Sequence, residues 1–229
     1  MRPLHIIFTL LWALSINSQT ETKKILFLGN SLTYSNNLPK ILEYMAKNCD
    51  ESIKSTTLCF PNYALEDHWI DGTFQKIMSK KSFDYVIAQQ GPSSQPLGKK
   101  MLLTYGAKIK SVCQEKNTKF GFFMVWPSKQ HYYTFDGVIA NHKEAAKVNQ
   151  SLLFPVGVLW KEYEKHNNFQ NLYDYDNFHP STAGSFLAAL TIFHGLYPDK
   201  NLSKLQFKKY KKWVKDKKSF HLMIKLVNQ

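Results

Sequence analysis

Four short apolar runs, at residues 25–28, 83–88, 120–126 and 155–159, and one stretch rich in β-branched residues, at 53–60, punctuate the chain. Most are unalternated and end in Gly, Pro, Gln or Trp-Pro, as strands buried on both faces do. Between them, residues 41–46, 97–116 and 137–153 carry apolar positions at helical spacing, and Phe186-Leu-Ala-Ala-Leu190 lies in a further helix that Ser181 can cap. Ala183 and Gly184 are small enough to let that helix pack closely. Strand and helix therefore alternate five times. The pattern predicts an α/β domain, a three-layer α/β/α sandwich around a five-stranded parallel sheet with right-handed crossovers.

A chain of 229 residues suits one domain with a full core, and 44% hydrophobic and 14% aromatic residues are ordinary globular values. Residues 1–18 differ from the rest. Met1-Arg2 precedes an apolar run over 6–14, and small residues around Ser15 and Ser18 offer a cleavage site, so this stretch reads as a signal peptide. The run is shorter than the roughly 20 apolar residues a spanning helix needs. The expectation is a secreted or periplasmic protein whose single domain is 19–229.

The formal charge of +13 suggests a polyanionic partner until it is located along the chain. Residues 200–229 hold ten lysines and one acid, Asp216, giving +9 and leaving +4 for everything else. In this tail Leu202, Leu205, Tyr210, Trp213 and Val214 fall at helical spacing. The segment is expected to dock as a basic amphipathic helix with a solvated lysine face, leaving only weak contact with anionic surfaces. No aromatic-basic pattern of a nucleic-acid module is present, so no nucleic-acid partner is expected. Cys49, Cys59 and Cys113 read as buried apolar residues, with a disulfide between two of them left open. The eight histidines show no metal-ligand spacing, and neither metal nor cofactor is expected.

Candidate chemistry sits at the end of the first apolar run, where Gly29-Asn30-Ser31 forms a turn. Taken alone, this is an ordinary strand-to-helix turn with a capping residue. Far along the chain stands Asp176-Asn-Phe-His179, an acid three residues before a histidine and ahead of an apolar helix. A serine nucleophile needs a base, and the base needs a group that fixes its tautomer. Ser31, His179 and Asp176 supply the three roles.

With both motifs in place the chain resembles the SGNH (GDSL-type) hydrolase superfamily, in which a Gly-Asp-Ser or Gly-Asn-Ser turn carries the nucleophile and a late Asp-x-x-His completes the triad. The resemblance covers most of the mature chain and implies a flavodoxin-like SGNH fold. It also implies an oxyanion hole built from the Ser31 N–H, a glycine N–H in the second turn and an amide side chain in the third. Here the second turn reads Pro61-Asn62, and Asn62 is a residue type that enters left-handed backbone space at little cost. The third block reads Gln89-Gln90, as in a Gln-Gln branch of the family, and Gln89 is expected to donate, with Gln90 beside it. Asn30 and Trp126 are assigned to the substrate pocket, with core packing left open for Trp126, and the polar, aromatic loop 131–136 to substrate contact. His68 is read as a packing residue. The implied activity is esterase action on small acyl esters, with acetylated carbohydrate suggested as substrate. A glycan-binding protein without turnover and an acyltransferase are the alternatives on the same scaffold.

Overall fold

Residues 21–229 are described in the computed structural model, and the expected signal peptide lies outside them. The first apolar run becomes β1 (Lys23–Gly29), which sends Ile25 and Phe27 into one core and Leu26 and Leu28 into another. Both faces of the strand are dry, which is why its sequence does not alternate. Four more strands are β2 (Ile53–Cys59), β3 (Tyr85–Ala88), β4 (Lys119–Phe123) and β5 (Leu152–Phe154). All pair in parallel in the order β2-β1-β3-β4-β5. The strand order reverses between β1 and β3, so their carboxyl ends open the crevice where such sheets place ligands.

Ten helices complete the domain: α1 (Ser31–Tyr34), α2 (Leu38–Lys47), α3 (Leu65–Asp71), α4 (Thr73–Lys80), α5 (Pro96–Glu115), α6 (Phe135–Val148), α7 (Val156–Tyr163), α8 (Thr182–Leu196), α9 (Phe207–Tyr210) and α10 (Lys217–Val227). The first core is closed by α2, α7, α8 and α10, and the second by α3, α4, α5 and the last turns of α6. Helix α8 is buried on every side, which accounts for its nearly unbroken apolar sequence. Gly184 is required there. A Cβ at this position would stand 2.3 Å from the Leu172 carbonyl oxygen and 2.6 Å from the Trp160 ring.

Two elements differ from the sequence reading. The run 155–159 is no strand: β5 ends at Phe154, and Val156 onward is the first turn of α7. A run this short and apolar fits a buried strand and a buried helix equally, and Pro155 at the N-cap starts the helix. The basic tail is also no single helix. It breaks after α9, and Asp216 restarts the chain as the N-cap of α10 by accepting from Lys218 N and Ser219 N. Docking itself is extensive. Leu202, Tyr210, Val214, Phe220 and Met223 are buried in the first core, while nine of the ten lysines are exposed and Lys200 donates to the Cys49 carbonyl at 3.1 Å. Among the described residues no helix is long and apolar enough to cross a membrane. All three cysteines are free, and burial pushes the Cys59 and Cys113 thiols up to about 12, so neither is a ready thiolate.

His142 gives the fold a pH dependence with a definite sign. It is fully buried in α6, and its Nδ1–H donates to the Val138 carbonyl at 2.8 Å. Burial lowers its pKa to about 4 from an ordinary 6.5, with the Val138 bond opposing only in part. Between these values the unfolded chain binds a proton that the folded chain refuses, so stability present above pH 6.5 is lost as pH falls toward 4. The slope owed to one such group approaches about 1.4 kcal/mol per pH unit. Denaturant titrations of wild type and His142→Leu across this range are expected to show a shallower slope in the variant. Equal slopes would mean that His142 is protonated in the fold.

Candidate active site

Gly29 ends β1 and Asn30 turns the chain into α1. The Asn30 side chain caps that helix by accepting from Leu32 N at 3.1 Å, and its Nδ2 donates to the Tyr63 carbonyl at 3.0 Å. Ser31 is thereby the first helical residue, where no carbonyl one turn earlier is available to its N–H. Beneath the turn lies Gln89, which follows β3. Its Oε1 accepts from Asn30 N and from Thr33 Oγ1, each at 2.9 Å. Glycine is needed at 29, because a Cβ there would meet Gln89 Oε1 at 2.6 Å. From the other side His68 Nε2–H donates to the Gly29 carbonyl at 2.8 Å. Burial depresses the His68 pKa and favours the neutral ring, with the Gly29 bond and nearby Asp67 and Asp71 opposing.

The other half of the site comes from the segment between α7 and α8. Asp176 Oδ1 accepts from the N–H groups of Phe178 and His179 at 3.0 and 2.9 Å, and Oδ2 accepts from His179 Nδ1 at 2.5 Å. Partial burial disfavours the charge, but the His179 ring and the two amides outweigh it and hold the Asp176 carboxyl below its ordinary value. A carboxylate on Nδ1 fixes the proton there and leaves Nε2 as an acceptor. Nε2 faces Ser31 Oγ at 2.8 Å, so the hydroxyl donates to it. The structure thus brings Ser31, His179 and Asp176 into one hydrogen-bonded chain from positions 148 residues apart.

The loop holding His179 is anchored on both flanks. Trp126 Nε1 donates to the Phe178 carbonyl at 3.1 Å, and Lys129 N donates to the Asn177 carbonyl at 2.9 Å. Asn36, just after α1, sends its Nδ2 to the Pro180 carbonyl at 2.8 Å and to Ser185 Oγ at 3.0 Å. Asn36 and Asn37 both hold left-handed backbone, with φ of 52° and 54°. The adjacent Asn pair is the trace this link leaves in the sequence, and sequence reasoning passed over it.

Several assigned residues change role. Trp126 is fully buried, stacked on Trp160 with ring centroids 3.6 Å apart, so it supports the His179 loop and forms no pocket wall. Gln89 is 1% exposed and its oxygen is spent on the nucleophile turn. Its Nε2 is buried without a partner among the described residues and does not face the cavity beside Ser31, so it is not placed to donate to an oxyanion. Gln90 does line that cavity, yet its two amide hydrogens go to Ser93 Oγ and the Gly98 carbonyl. Asn62 keeps the expected left-handed backbone, φ 62°, and lines the cavity of about 290 Å³ together with Ser31 and Asn30. Neither the Ser31 nor the Asn62 N–H has an acceptor among the described residues. A second, larger cleft of about 970 Å³ carries Asp176, His131 and Tyr133.

Replacing Gln89 by Met separates support from donation. Losing the acceptor strands the buried Asn30 N–H and Thr33 hydroxyl, each worth about 1–3 kcal/mol when left unsatisfied. Gln89→Met is expected to lower the unfolding free energy on that scale, together with any change at Ser31. A variant as stable as wild type whose turnover alone falls would return Gln89 to the oxyanion hole.

The sequence matches no protein-family model and no curated protein. Solved structures do match by shape. A DUF4886 family protein from Bacteroides uniformis is 14% identical over 91% of this chain and 94% of its own, with a TM-score of 0.75. A protein from Slackia heliotrinireducens, provisionally described as an SGNH hydrolase, is 21% identical over 77% of this chain and 100% of its own, TM-score 0.63. A mutant of an acetyl-xylooligosaccharide esterase from a Geobacillus species is 16% identical over 78% of this chain and 96% of its own, TM-score 0.58. The five-stranded parallel sheet and its flanking helices match the SGNH hydrolase fold.

Proposed function

We propose that the protein is a serine esterase that hydrolyses short acyl esters through Ser31, His179 and Asp176. The observation that carries this reading is the contact between Ser31 Oγ and His179 Nε2, on a ring whose other nitrogen is held by Asp176. Ser31 Oγ attacks the ester carbonyl carbon while His179 Nε2 takes the hydroxyl proton, and Asp176 stabilises the imidazolium that results. The carbonyl oxygen becomes an oxyanion, and the N–H groups of Ser31 and Asn62 are the donors left open to receive it. Collapse breaks the bond to the alcohol oxygen, which leaves with the proton from His179. Water then repeats the sequence on the acyl-enzyme and releases the acid.

Two features favour hydrolysis over transfer or simple binding. The side chains of His179 and Asp176 keep 35% and 34% exposure, so water reaches the base. A binding protein has no use for a tautomer fixed toward a serine hydroxyl. The small cavity beside Ser31 suits a short acyl group, and the likeness to an acetyl-xylooligosaccharide esterase makes acetyl esters of sugars the first substrates to try.

A fluorophosphonate probe and a short-acyl ester assay test the reading together. Wild type is expected to label at Ser31 and to turn over acetyl esters. Ser31→Ala and His179→Ala each lose at least about a thousandfold in turnover while staying folded, and Asp176→Asn loses less, since triad members act as a unit in which the acid is least costly to remove. Full turnover by folded Ser31→Ala would overturn the assignment.

A further inference from the structure

Given the triad reading above, on which this inference rests, reaction geometry decides which part of an ester each cavity receives. His179 Nε2 must return its proton to the departing alkoxide, so the alcohol lies on the side of the Asp176–His179 loop. The carbonyl oxygen and the acyl group lie toward Ser31 and Asn62. The cavity of about 290 Å³ is on the Asn62 side, and the cleft of about 970 Å³ is on the Asp176 side. Pro92 and Phe178 line both, so the two adjoin. Space is thus unequal across the scissile bond: little for the acyl group and, for the alcohol, a volume near the top of the usual 300–1,000 Å³ range of ligand pockets.

We propose that this cleft is a saccharide subsite that holds the neutral sugar chain carrying the ester, with Tyr133 as its stacking platform. Tyr133 is 82% exposed at the cleft wall, a large aromatic ring left in water where a ligand face can cover it. A pyranose presents a C–H face to such a ring and a rim of hydroxyls to its surroundings. The cleft matches that rim with the Gln95 and Gln130 amides and the Ser94 hydroxyl, which both donate and accept, and with Ser128 Oγ, already bonded to His131 Nδ1 at 3.0 Å. Pro92, Pro127 and Phe178 add apolar surface beside Tyr133, so the lining mixes apolar and polar groups as a pyranose does. An ionic ligand would need an uncommitted charge. Asp176 is engaged by His179, Lys129 Nζ by Asn171 Oδ1 at 3.3 Å and the Tyr173 ring at 5.1 Å, and His131 Nδ1 by Ser128 Oγ at 3.0 Å.

Calorimetric titration of the full described chain with xylotriose, cellotriose, maltotriose and triacetylchitotriose tests the proposal without any ester chemistry. At least one of these neutral trisaccharides is expected to bind. Tyr133→Ala should weaken that binding by about tenfold, the scale of one aromatic contact, while Tyr133→Phe keeps it because the ring remains. On the acetylated form of the same sugar the Ala variant should raise KM more than it lowers kcat. Absence of binding by all four, or equal binding by wild type and Tyr133→Ala, overturns the proposal. Failure of the esterase reading would appear elsewhere, as a Ser31 that does not label, and would leave the titration intact.

Discussion

The site depends on one buried acceptor. Strands β1 and β3 pair with Leu28 opposite Ala88, so Gln89 emerges directly beside Gly29, and its carboxamide oxygen reaches the Asn30 N–H and the Thr33 hydroxyl. A buried N–H without a partner is costly, so this single oxygen determines the path of the chain through Asn30 and the direction in which Ser31 leaves the sheet. Gly29 supplies the room for it, and His68 holds the Gly29 carbonyl from the opposite side. Ser31 stands on a turn whose supports come from two neighbouring strand ends and α3.

The base reaches that turn from the far end of the sequence, and its placement requires a second set of supports. Asp176 binds the ring and the backbone that carries the ring, which makes the acid and base one rigid hook. Trp126, rooted in the core on Trp160, ties the hook to the end of β4, and Asn36 ties its exit to the segment that follows the nucleophile. The distance from Ser31 to His179 is therefore set by the cores on which both supports rest. Packing of the sandwich and alignment of the proposed reaction are linked through these few polar contacts.

Much of this was legible in the sequence, and the failures have physical causes. Unalternated apolar runs located three strands and a β-branched stretch a fourth, each followed by turn residues, and Gly29-Asn30-Ser31 with Asp176 and His179 marked residues that the fold unites. The run after Pro155 misled because a buried helix and a buried strand of five residues look alike. Spacing in the tail predicted which residues dock, yet the chain leaves helical geometry at Leu205–Gln206 and again after Tyr210, and Asp216 caps a separate helix. Gln89 and Trp126 were placed on the right edge of the sheet with the wrong orientation. A sequence shows that a side chain arrives at a strand end, and only neighbouring backbone decides whether it faces the cavity or the turn beneath.

The central claim is that Ser31 attacks with the oxyanion facing the backbone amides of Ser31 and Asn62, while Gln89 supports the turn from below. A crystal structure of the protein after reaction with an alkyl phosphonate ester tests it most directly, since the phosphoryl oxygen stands where the oxyanion would form. The account predicts phosphorus bonded to Ser31 Oγ and the phosphoryl oxygen about 2.7–3.1 Å from both amide nitrogens, with Gln89 still bonded to Asn30 and Thr33. A phosphoryl oxygen bound by the Gln89 or Gln90 side chain, or phosphorus on any residue other than Ser31, would contradict it.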